Sequence, residues 1–383
     1  MVSSGAQLES GTGSLRPEDA SGPLAPLRDG GWRPLETLRG LVLAHRSAIF
    51  GEIHPDFQLI ELTVSEPLHR TGGRYHHLVE ATCRNGGEFW VEKIWVKVRD
   101  EDLAPLFHIL SDIHETMPEV REFFPRPYFF HPIGKDGHTL VGMQYFPGVT
   151  LRNMLLTRLG RHRQEELHPL FLKLGAKLRA FHDGSPKLGL KRIRHVAANV
   201  RNALSHTPHL RQKRKKEFGA LIDRAEAAAG PDTALPLTRI HNDFILRNIL
   251  VGEDGSLHLV DLDSLRAPAN SRWYDVAYFL ISLESQGKYA PVISEAYLGG
   301  VWRKFIEGYV GSGLPDGLDA TRIEPILFLI KAEFLLGPSY RVPLFEMFSD
   351  LLGRRYLRRV TRAALEGRYS PLPLAFSGWS RPD

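Results

Sequence analysis

The chain has 383 residues, of which 43% are hydrophobic and 24% are charged, a composition typical of folded globular domains rather than of a disordered chain. It has no apolar run of about 18 residues and no basic-then-apolar N-terminal segment, which predicts a cytoplasmic protein without a membrane span or signal peptide. Cys83 is the single cysteine and excludes an intramolecular disulfide and a cysteine-based zinc site.

The net charge of +5 is compatible with a nucleic-acid-binding protein and with a protein that handles anionic small molecules. The only dense basic run is Lys213–Lys216. We expect this run to form a solvated helix face, which makes nucleic-acid binding unlikely, although contact with an anionic surface stays an alternative.

Residues 1–30 are rich in Gly, Ser, Pro and Ala and are predicted to be a disordered tail. An amphipathic helix is expected at 33–49. The pattern then becomes strand-like, with Asn85-Gly86-Gly87 as a hairpin turn. Strands are predicted at Phe57–Leu62, His76–Thr82, Phe89–Val98, Tyr128–Ile133 and Thr139–Tyr145, and a helix at Asp102–His114.

Helical patterns dominate after Phe146-Pro147-Gly148. Helices are predicted at Leu151–Leu159, Glu166–His182 and Lys191–Ala227, then a strand–turn–strand at Ile249–Val251 and Leu257–Asp261, then helices to about Glu366. The chain is therefore expected to be α+β, with a sheet domain at 31–146, a mainly helical domain at 147–370 and a tail at 371–383.

The densest polar cluster between apolar residues is His241–Leu250. Asp243 and Asn248 lie five residues apart, and Asp261 follows an apolar strand eighteen residues after Asp243. Phosphoryl transfer needs a carboxylate for the attacking hydroxyl, oxygen ligands for magnesium and a cation on the phosphates. This spacing provides the carboxylate and the oxygen ligands.

The order His-x-Asp-x-x-x-x-Asn, hairpin, apolar-apolar-Asp resembles the catalytic and metal-binding segments of the protein-kinase-like superfamily. It is most similar to the aminoglycoside phosphotransferase and choline kinase group. The segments Trp273–Ala277 and Leu174–His182 also resemble segments of that group. The resemblance spans about residues 57–370, with its sharp motifs at 241–277. It implies a bilobal fold with a small antiparallel-sheet N-lobe and a mainly helical C-lobe, and an ATP- and Mg²⁺-dependent kinase.

The resemblance also implies roles for single residues. Asp243 would be the catalytic base, while Asn248 and Asp261 would hold magnesium. His241 and Asp275 would be structural, with Asp275 bracing the catalytic loop. Alternation along a strand would place Asp263 on the same face as Asp261, either as a further metal ligand or as a solvated carboxylate.

The nucleotide side carries weaker motifs. Gly72 and Gly73 lie in a turn whose backbone N–H groups could approach phosphate oxygens. Lys93 is the expected phosphate lysine and Lys97, on the same strand face, is the rival. The glutamate expected to pair with this phosphate lysine is Glu101 or Glu115. The segment Met143-Gln144-Tyr145 resembles the hinge that binds adenine.

Two other functions are alternatives for this sequence. A protein kinase is disfavoured because only eleven residues separate Asp261 from Trp273, Asp261-Leu262-Asp263 replaces Asp-Phe-Gly, and no Ala-Pro-Glu follows. The second alternative is an inactive kinase fold that serves as a binding module. The catalytic and metal residues argue against it.

The acceptor hydroxyl is expected on a small molecule, a sugar or a glycoconjugate, and the basic net charge favours an anionic or neutral acceptor. Four aromatic and acidic residues are candidates to contact it: Trp302, Tyr309, Glu333 and Tyr340.

Overall fold

The computed structural model describes residues 34–51, 53–65, 69–71, 74–133, 138–157, 165–207, 211–286, 294–311, 313–336, 362–363 and 366. The predicted tails 1–30 and 371–383, the turn at Gly72 and Gly73, and Tyr340 lie outside these residues. Of the helices that are described, none is long and apolar enough to cross a membrane.

The chain forms two compact units. The first comprises the chain up to Ser111 together with Pro125–Tyr145, and the second comprises Asp112–Phe124 and the chain from Phe146 onward. The first unit is built on an antiparallel sheet, whereas the second is mainly helical. The expected α+β class is confirmed.

The sheet of the first unit has six strands in the order β1-β3-β4-β6-β5, with the short β2 paired to β3. The strands are β1 Gln58–Val64, β2 His69–Thr71, β3 Arg74–Asn85, β4 Glu88–Arg99, β5 Pro127–Ile133 and β6 His138–Gln144. Five of them coincide with predicted strands. The sixth, β2, was missed because three residues are too few to show a period.

The β3–β4 hairpin is the longest pairing of this sheet. It pairs Asn85 with Glu88 across Gly86 and Gly87, whose φ angles are +57° and +97°. Two successive positive φ angles are required by the tight turn that matches strand twist, and glycine adopts them without strain. The turn predicted from Asn85-Gly86-Gly87 is therefore confirmed.

One face of this sheet carries the core of the first unit. Helices α1 (Pro34–Ala44) and α2 (Arg46–Phe50) contribute Leu38, Leu41, Val42 and Ile49 to the core.

The helix α3 (Ala104–Thr116) begins where Asp102 Oδ1 accepts the N–H of Ala104 across 2.8 Å. Buried residues recur along it at helical spacing, as predicted: Leu103, Leu106, Leu110 and Ile113.

The second unit contains seven helices within the described residues. They are α4 Leu151–Thr157, α5 His168–Gly184, α6 Ile193–Ser205, α7 Gln212–Ala229, α8 Trp273–Gln286, α9 Glu295–Val310 and α10 Ala320–Leu336. The single helix predicted at Lys191–Ala227 is wrong, because the described part of that range contains the end of β8 and the two separate helices α6 and α7. Pro208 disfavours the helical conformation at Thr207, which follows the first helix.

Two small sheets complete the second unit. One joins β8 (Gly189–Arg192), β9 (Ala234–Thr238) and β12 (Asn270–Ser271). The other joins β7 (Val149–Thr150), β10 (Ile249–Val251) and β11 (Leu257–Leu259). Of these strands, β10 and β11 were predicted, with a turn between them, and β7, β8, β9 and β12 were not.

Helices α5 and α9 approach each other so closely that only glycine fits at two positions. A Cβ atom on Gly175 would lie 2.0 Å from the Phe305 carbonyl oxygen, and one on Gly308 would lie 1.9 Å from the Leu172 carbonyl oxygen. Backbone-to-backbone packing of this kind fixes the two helices against each other. Residues that follow these glycines, His182 on α5 and Tyr309 on α9, are thereby placed within hydrogen-bonding distance.

Candidate active site

The segment from His241 to Asn248 is an irregular loop between β9 and β10 that ends in a 3-10 turn at Leu246–Asn248. Helix α8 anchors the loop at both ends. At the end nearer β10, the N–H of Leu246 donates to Ser282 Oγ across 3.1 Å. At the start of the loop the anchor is Asp275.

The carboxylate of Asp275 is completely buried and collects three donors. It accepts the backbone N–H of His241 at 2.7 Å and of Asn242 at 2.9 Å, and His182 Nε2 lies 3.0 Å from it. Burial lowers the pKa of His182, so the ring is neutral and donates from Nε2. Its Nδ1 then accepts the hydroxyl of Tyr309 at 2.9 Å.

The backbone at Asn242 has a φ of +62°, the left-handed conformation that asparagine tolerates better than most residues. The side chain of Asn242 donates to the Ser264 carbonyl at 3.3 Å, and Ser264 Oγ donates to the His241 carbonyl. These hydrogen bonds tie the loop to the segment after β11.

The carboxylate of Asp243 is partly buried, with 35% of the side chain exposed. The Asn248 side-chain nitrogen donates to Asp243 Oδ2 at 2.8 Å and to the Asp243 carbonyl at 3.0 Å. Burial raises the pKa of the Asp243 carboxyl, and the negative charge of Asp261 raises it further, while Asn248 and the guanidinium of Arg247 oppose the rise. A carboxylate with a raised pKa is a stronger base than an ordinary aspartate.

The β10–β11 hairpin brings Asn248 and Asp261 to the same end. Ile249 pairs with Leu259, and the N–H of Val260 donates to the Asn248 carbonyl at 2.9 Å. Asp261 follows in the left-handed conformation, with a φ of +58°, and its side chain is exposed. Two carboxylates and one amide, from Asp243, Asp261 and Asn248, are thus gathered at this end of the hairpin.

The expected strand alternation at Asp261 and Asp263 is wrong. The strand β11 ends at Leu259, and a 3-10 helix spans Leu262–Arg266. The left-handed turn at Asp261 breaks the strand period, so the two carboxylates do not share a strand face.

The ring of His241 is fully buried within the loop. Its Nδ1 accepts the N–H of Asp243 at 3.3 Å, which places the ring proton on Nε2. Within the described residues, Nε2 is buried without a hydrogen-bond partner. The ring therefore contacts the loop backbone next to Asp243, and its structural role stays a prediction.

The model of the phosphotransferase enzyme family matches residues 110–307, slightly more than half of the chain. The chain belongs to that family. It is thus a kinase of the group that phosphorylates small-molecule hydroxyls, and the resemblance inferred from residues 241–277 is confirmed. This membership favours the small-molecule kinase over the protein-kinase alternative.

Solved structures with the same fold include two of glucosamine kinase. One, in complex with glucosamine, ADP and inorganic phosphate, is 14% identical, with a TM-score of 0.50, and the match covers 84% of this chain and 96% of that one. Another, crystal form B, is 16% identical, with a TM-score of 0.55 and coverages of 86% and 85%. A putative aminoglycoside phosphotransferase from Ralstonia eutropha JMP134 is 13% identical, with a TM-score of 0.53 and coverages of 86% and 96%. No curated protein sequence matches the chain.

The donor set of this phosphotransferase fits a nucleotide-bound magnesium ion. Because the Asn248 nitrogen donates to Asp243, the amide oxygen is left for a metal, and the exposed Asp261 adds a carboxylate. Magnesium is usually held by one or two such groups, with phosphates and water supplying the rest. The described residues contain no cluster of three His, Cys, Asp or Glu side chains, a set that such a site does not require.

In the first unit, Lys93 and Lys97 of β4 have different surroundings. Lys93 is 45% exposed, and its Nζ lies 2.7 Å from Glu80 Oε1 on the adjacent β3. Lys97 is only 4% exposed. The carboxylate beside Lys93 is thus on the neighbouring strand, a position that was not predicted. The two predicted partners lie elsewhere: Glu101 precedes α3, and Glu115 is exposed near the end of α3.

The segment Met143-Gln144-Tyr145 forms the end of β6 and the residue after it. The N–H of Gln144 donates to the Arg126 carbonyl at 2.9 Å, and that of Tyr145 donates to the Lys93 carbonyl at 3.3 Å. Adenine therefore cannot use these two N–H groups unless sheet hydrogen bonds break.

The predicted acceptor contacts separate into core and partly exposed residues. Trp302 and Tyr309 are completely buried and belong to the core of the second unit, so neither is available to an acceptor. Glu333 on α10 is 21% exposed. The basic run Lys213–Lys216 lies in the first turns of α7, where Lys215 Nζ donates to the Ser205 carbonyl at 2.7 Å.

Sequence reasoning missed several residues that hold the loop. His182, Ser264 and Ser282 contact it directly or through Asp275. His182 lies in the segment that resembles the family helix before the loop, and this was the one signal that could have identified it. The two serines carry no local signal, because their partners are 23 and 36 residues away.

Proposed function

We propose that this phosphotransferase is a cytoplasmic, ATP- and Mg²⁺-dependent kinase that transfers the γ-phosphoryl group to a hydroxyl of a small-molecule, sugar or glycoconjugate acceptor. The observation that supports this most is the arrangement of Asp243. Its carboxylate is held by Asn248, has a raised pKa and lies on a loop braced by the buried Asp275.

Asp243 would act as the catalytic base. Asn248 orients one of its oxygens at 2.8 Å, which leaves the other free for the acceptor hydroxyl. As the hydroxyl oxygen attacks phosphorus, its proton passes to the Asp243 carboxylate, and the bond to the β-phosphate oxygen breaks. The raised pKa makes this proton transfer more favourable.

Asn248 and Asp261 would hold Mg²⁺, which neutralises charge on the transferred phosphoryl group when it is bound. Lys93, with Lys97 as its rival, would contact the phosphates, and Gly72 and Gly73 would approach them through their N–H groups. Met143, Gln144 and Tyr145 would lie beside adenine. His241 and Asp275 would keep the loop in its active conformation.

The proposal separates binding from chemistry, and two variants test that separation. Asp243→Asn should cut turnover by about two orders of magnitude or more while the affinity for Mg·ADP stays within about twofold, because Asp243 acts on the acceptor. Asp261→Ala should weaken Mg·ADP binding itself. Calorimetric titration and steady-state turnover measure both effects.

Wild-type protein that neither binds Mg·ADP nor turns over ATP with any hydroxyl acceptor would contradict the proposal. Equal losses of nucleotide affinity in Asp243→Asn and Asp261→Ala would show that the roles are assigned wrongly. Asp232→Asn, which alters an exposed carboxylate, is the matched control.

A further inference from the structure

A cluster of polar side chains from four elements lies in the second unit, apart from the catalytic loop. We call Lys191, Asn199, Tyr274 and Glu333, from β8, α6, α8 and α10, the α8–α10 cluster. Lys191 Nζ donates to the Tyr274 hydroxyl at 2.6 Å, and that hydroxyl donates to the Glu333 carboxylate. Asn199 Nδ2 donates to Glu333 Oε1 at 2.7 Å. The cluster is therefore fixed before any ligand binds.

The charges in this cluster compensate each other. Lys191 Nζ lies 3.9 Å from Glu333, and each side chain is 21% exposed. Burial lowers the pKa of Lys191, but the charge of Glu333 opposes that effect. A carboxylate has about four acceptor positions, and Tyr274 and Asn199 take two of those on Glu333. Glu333 can therefore still accept a hydroxyl, while its negative charge is already matched by Lys191.

Tyr278 connects this cluster to the catalytic loop. Asp275 and Ser282, which both contact the loop, lie three positions before and four positions after Tyr278 on α8, so the three residues share a helix face. The Tyr278 ring lies 6.3 Å from the Tyr274 ring and 4.6 Å from the Phe334 ring, centroid to centroid.

The Tyr278 phenol is partly buried, and the charges of three carboxylates act on it. Burial and then the charges of Asp275, Glu333 and Asp243 raise its pKa, so the group is a neutral donor within the field of all three carboxylates. Its side chain is half-buried. Within the described residues, its hydroxyl makes no hydrogen bond.

We propose that Tyr278 and the α8–α10 cluster form the acceptor subsite of this kinase, and that the subsite takes an uncharged, hydroxyl-rich acceptor such as a neutral sugar. This inference rests on the proposed function. A neutral sugar offers an apolar ring face to aromatic side chains and hydroxyls to Tyr278 and Glu333. A cationic acceptor would need a carboxylate whose charge is not compensated. Here Lys191 compensates the charge of Glu333 and would repel a second cation.

Matched pairs of acceptors test the chemical class. Glucose with glucosamine, and galactose with galactosamine, differ mainly by one ammonium group, and acceptor-dependent ADP formation gives kcat/KM for each. The wild-type enzyme should prefer the neutral member of a pair. Lys191→Met removes the compensating charge and should shift the kcat/KM ratio toward the amino sugar by at least about tenfold. If this variant does not fold, Lys191→Gln replaces it.

A second measurement tests Tyr278 as a positioning residue. Tyr278→Phe should raise the acceptor KM by roughly three- to tenfold, the effect of one lost neutral hydrogen bond, and leave the KM for ATP unchanged. Tyr297→Phe on α9 is the matched control for this variant. Glu307→Gln, from the surface pair that Glu307 makes with Lys304 at 2.7 Å, is the control for the charge change.

The outcomes distinguish this inference from the proposed function. An enzyme that binds and hydrolyses ATP but prefers amino sugars, accepts no member of either pair, or keeps its acceptor KM in Tyr278→Phe would overturn the acceptor subsite alone. Failure of the wild-type protein to bind Mg·ADP would instead overturn the phosphotransferase mechanism.

Discussion

The side chain of Asn248 donates to the carboxylate of Asp243 across 2.8 Å, and this contact joins the proposed base to a proposed metal ligand. The hydrogen bond favours the ionised form of Asp243, while burial favours the protonated form and dominates. The Asp243 carboxyl therefore has a higher pKa than an exposed aspartate would have.

The first prediction concerns the pH dependence of kcat. Under the proposed mechanism the reaction needs ionised Asp243, so kcat should fall as the pH is lowered through the pKa of that carboxyl, which burial raises. Arg247→Gln removes a cation 3.7 Å from Asp243 Oδ2, so the acidic limb of the profile should move to higher pH. Arg303→Gln is the control, because the part of the chain that the structure describes shows no contact between Arg303 and the loop. A limb that moves to lower pH would contradict the assignment of the base.

The second prediction concerns stability. A carboxyl with a pKa raised by folding binds its proton more tightly in the folded state, so its contribution to stability grows as the pH falls through that pKa. At neutral pH the desolvated charge of Asp243 is destabilising. Asp243→Asn should therefore keep or raise the melting temperature at pH 7, and this advantage should shrink as the pH falls toward the ordinary carboxylate range. Thermal unfolding at several pH values measures it, with Asp232→Asn as the exposed control.

Much of this site could be predicted because its residues lie in short sequence windows. Asp243, Asn248 and Asp261 are close along the chain, and the turn Glu253-Asp254-Gly255 between two short apolar segments identifies the hairpin. Contacts such as Asp275 with His182, or Glu80 with Lys93, depend on helix packing and strand register, and no local pattern encodes them. The misplaced Asp263 has the same origin, since a single left-handed residue ended the strand period.

The third prediction concerns Asp275. In Asp275→Asn, only one oxygen remains to accept donors from His241, Asn242 and His182, and the new amide hydrogens face N–H groups. We expect a loss of about 3 kcal/mol in the free energy of unfolding and a large fall in kcat. Tyr309→Phe removes only the outer hydroxyl and should cost about 1 kcal/mol. Urea unfolding and turnover measure both variants, and equal effects would show that Asp275 is not the central acceptor.

The fourth prediction separates Lys93 from Lys97. Lys93→Met should weaken Mg·ADP binding with little effect on folding, because its side chain is largely exposed and paired with Glu80. Lys97 is buried in the sheet, so Lys97→Met should chiefly change the melting temperature. Titration calorimetry and thermal unfolding give both quantities for each variant. If Lys97→Met weakens nucleotide binding more than Lys93→Met does, Lys97 is the phosphate lysine.

The fifth prediction concerns a buried ion pair between α8 and α10. Lys331 on α10 and Glu284 on α8 lie 2.7 Å apart, and each side chain is only 1% exposed. Removing Lys331 takes away the cation that lies 2.7 Å from a carboxylate that stays buried. Lys331→Met alone should therefore lower the free energy of unfolding by about 3–5 kcal/mol. Because α8 also carries Asp275 and Ser282, turnover should fall with it.

The double variant Lys331→Met/Glu284→Leu separates charge burial from packing. With both charges removed, apolar side chains of similar size occupy the site, and the free energy of unfolding should return to within about 1–2 kcal/mol of the wild-type value. Turnover should recover in parallel, because the double variant leaves Asp275 and Ser282, the α8 residues that contact the loop, unchanged. A double variant as unstable as Lys331→Met would contradict this explanation. The interaction between Lys331 and Glu284 would then be what stabilises the packing of α8 against α10.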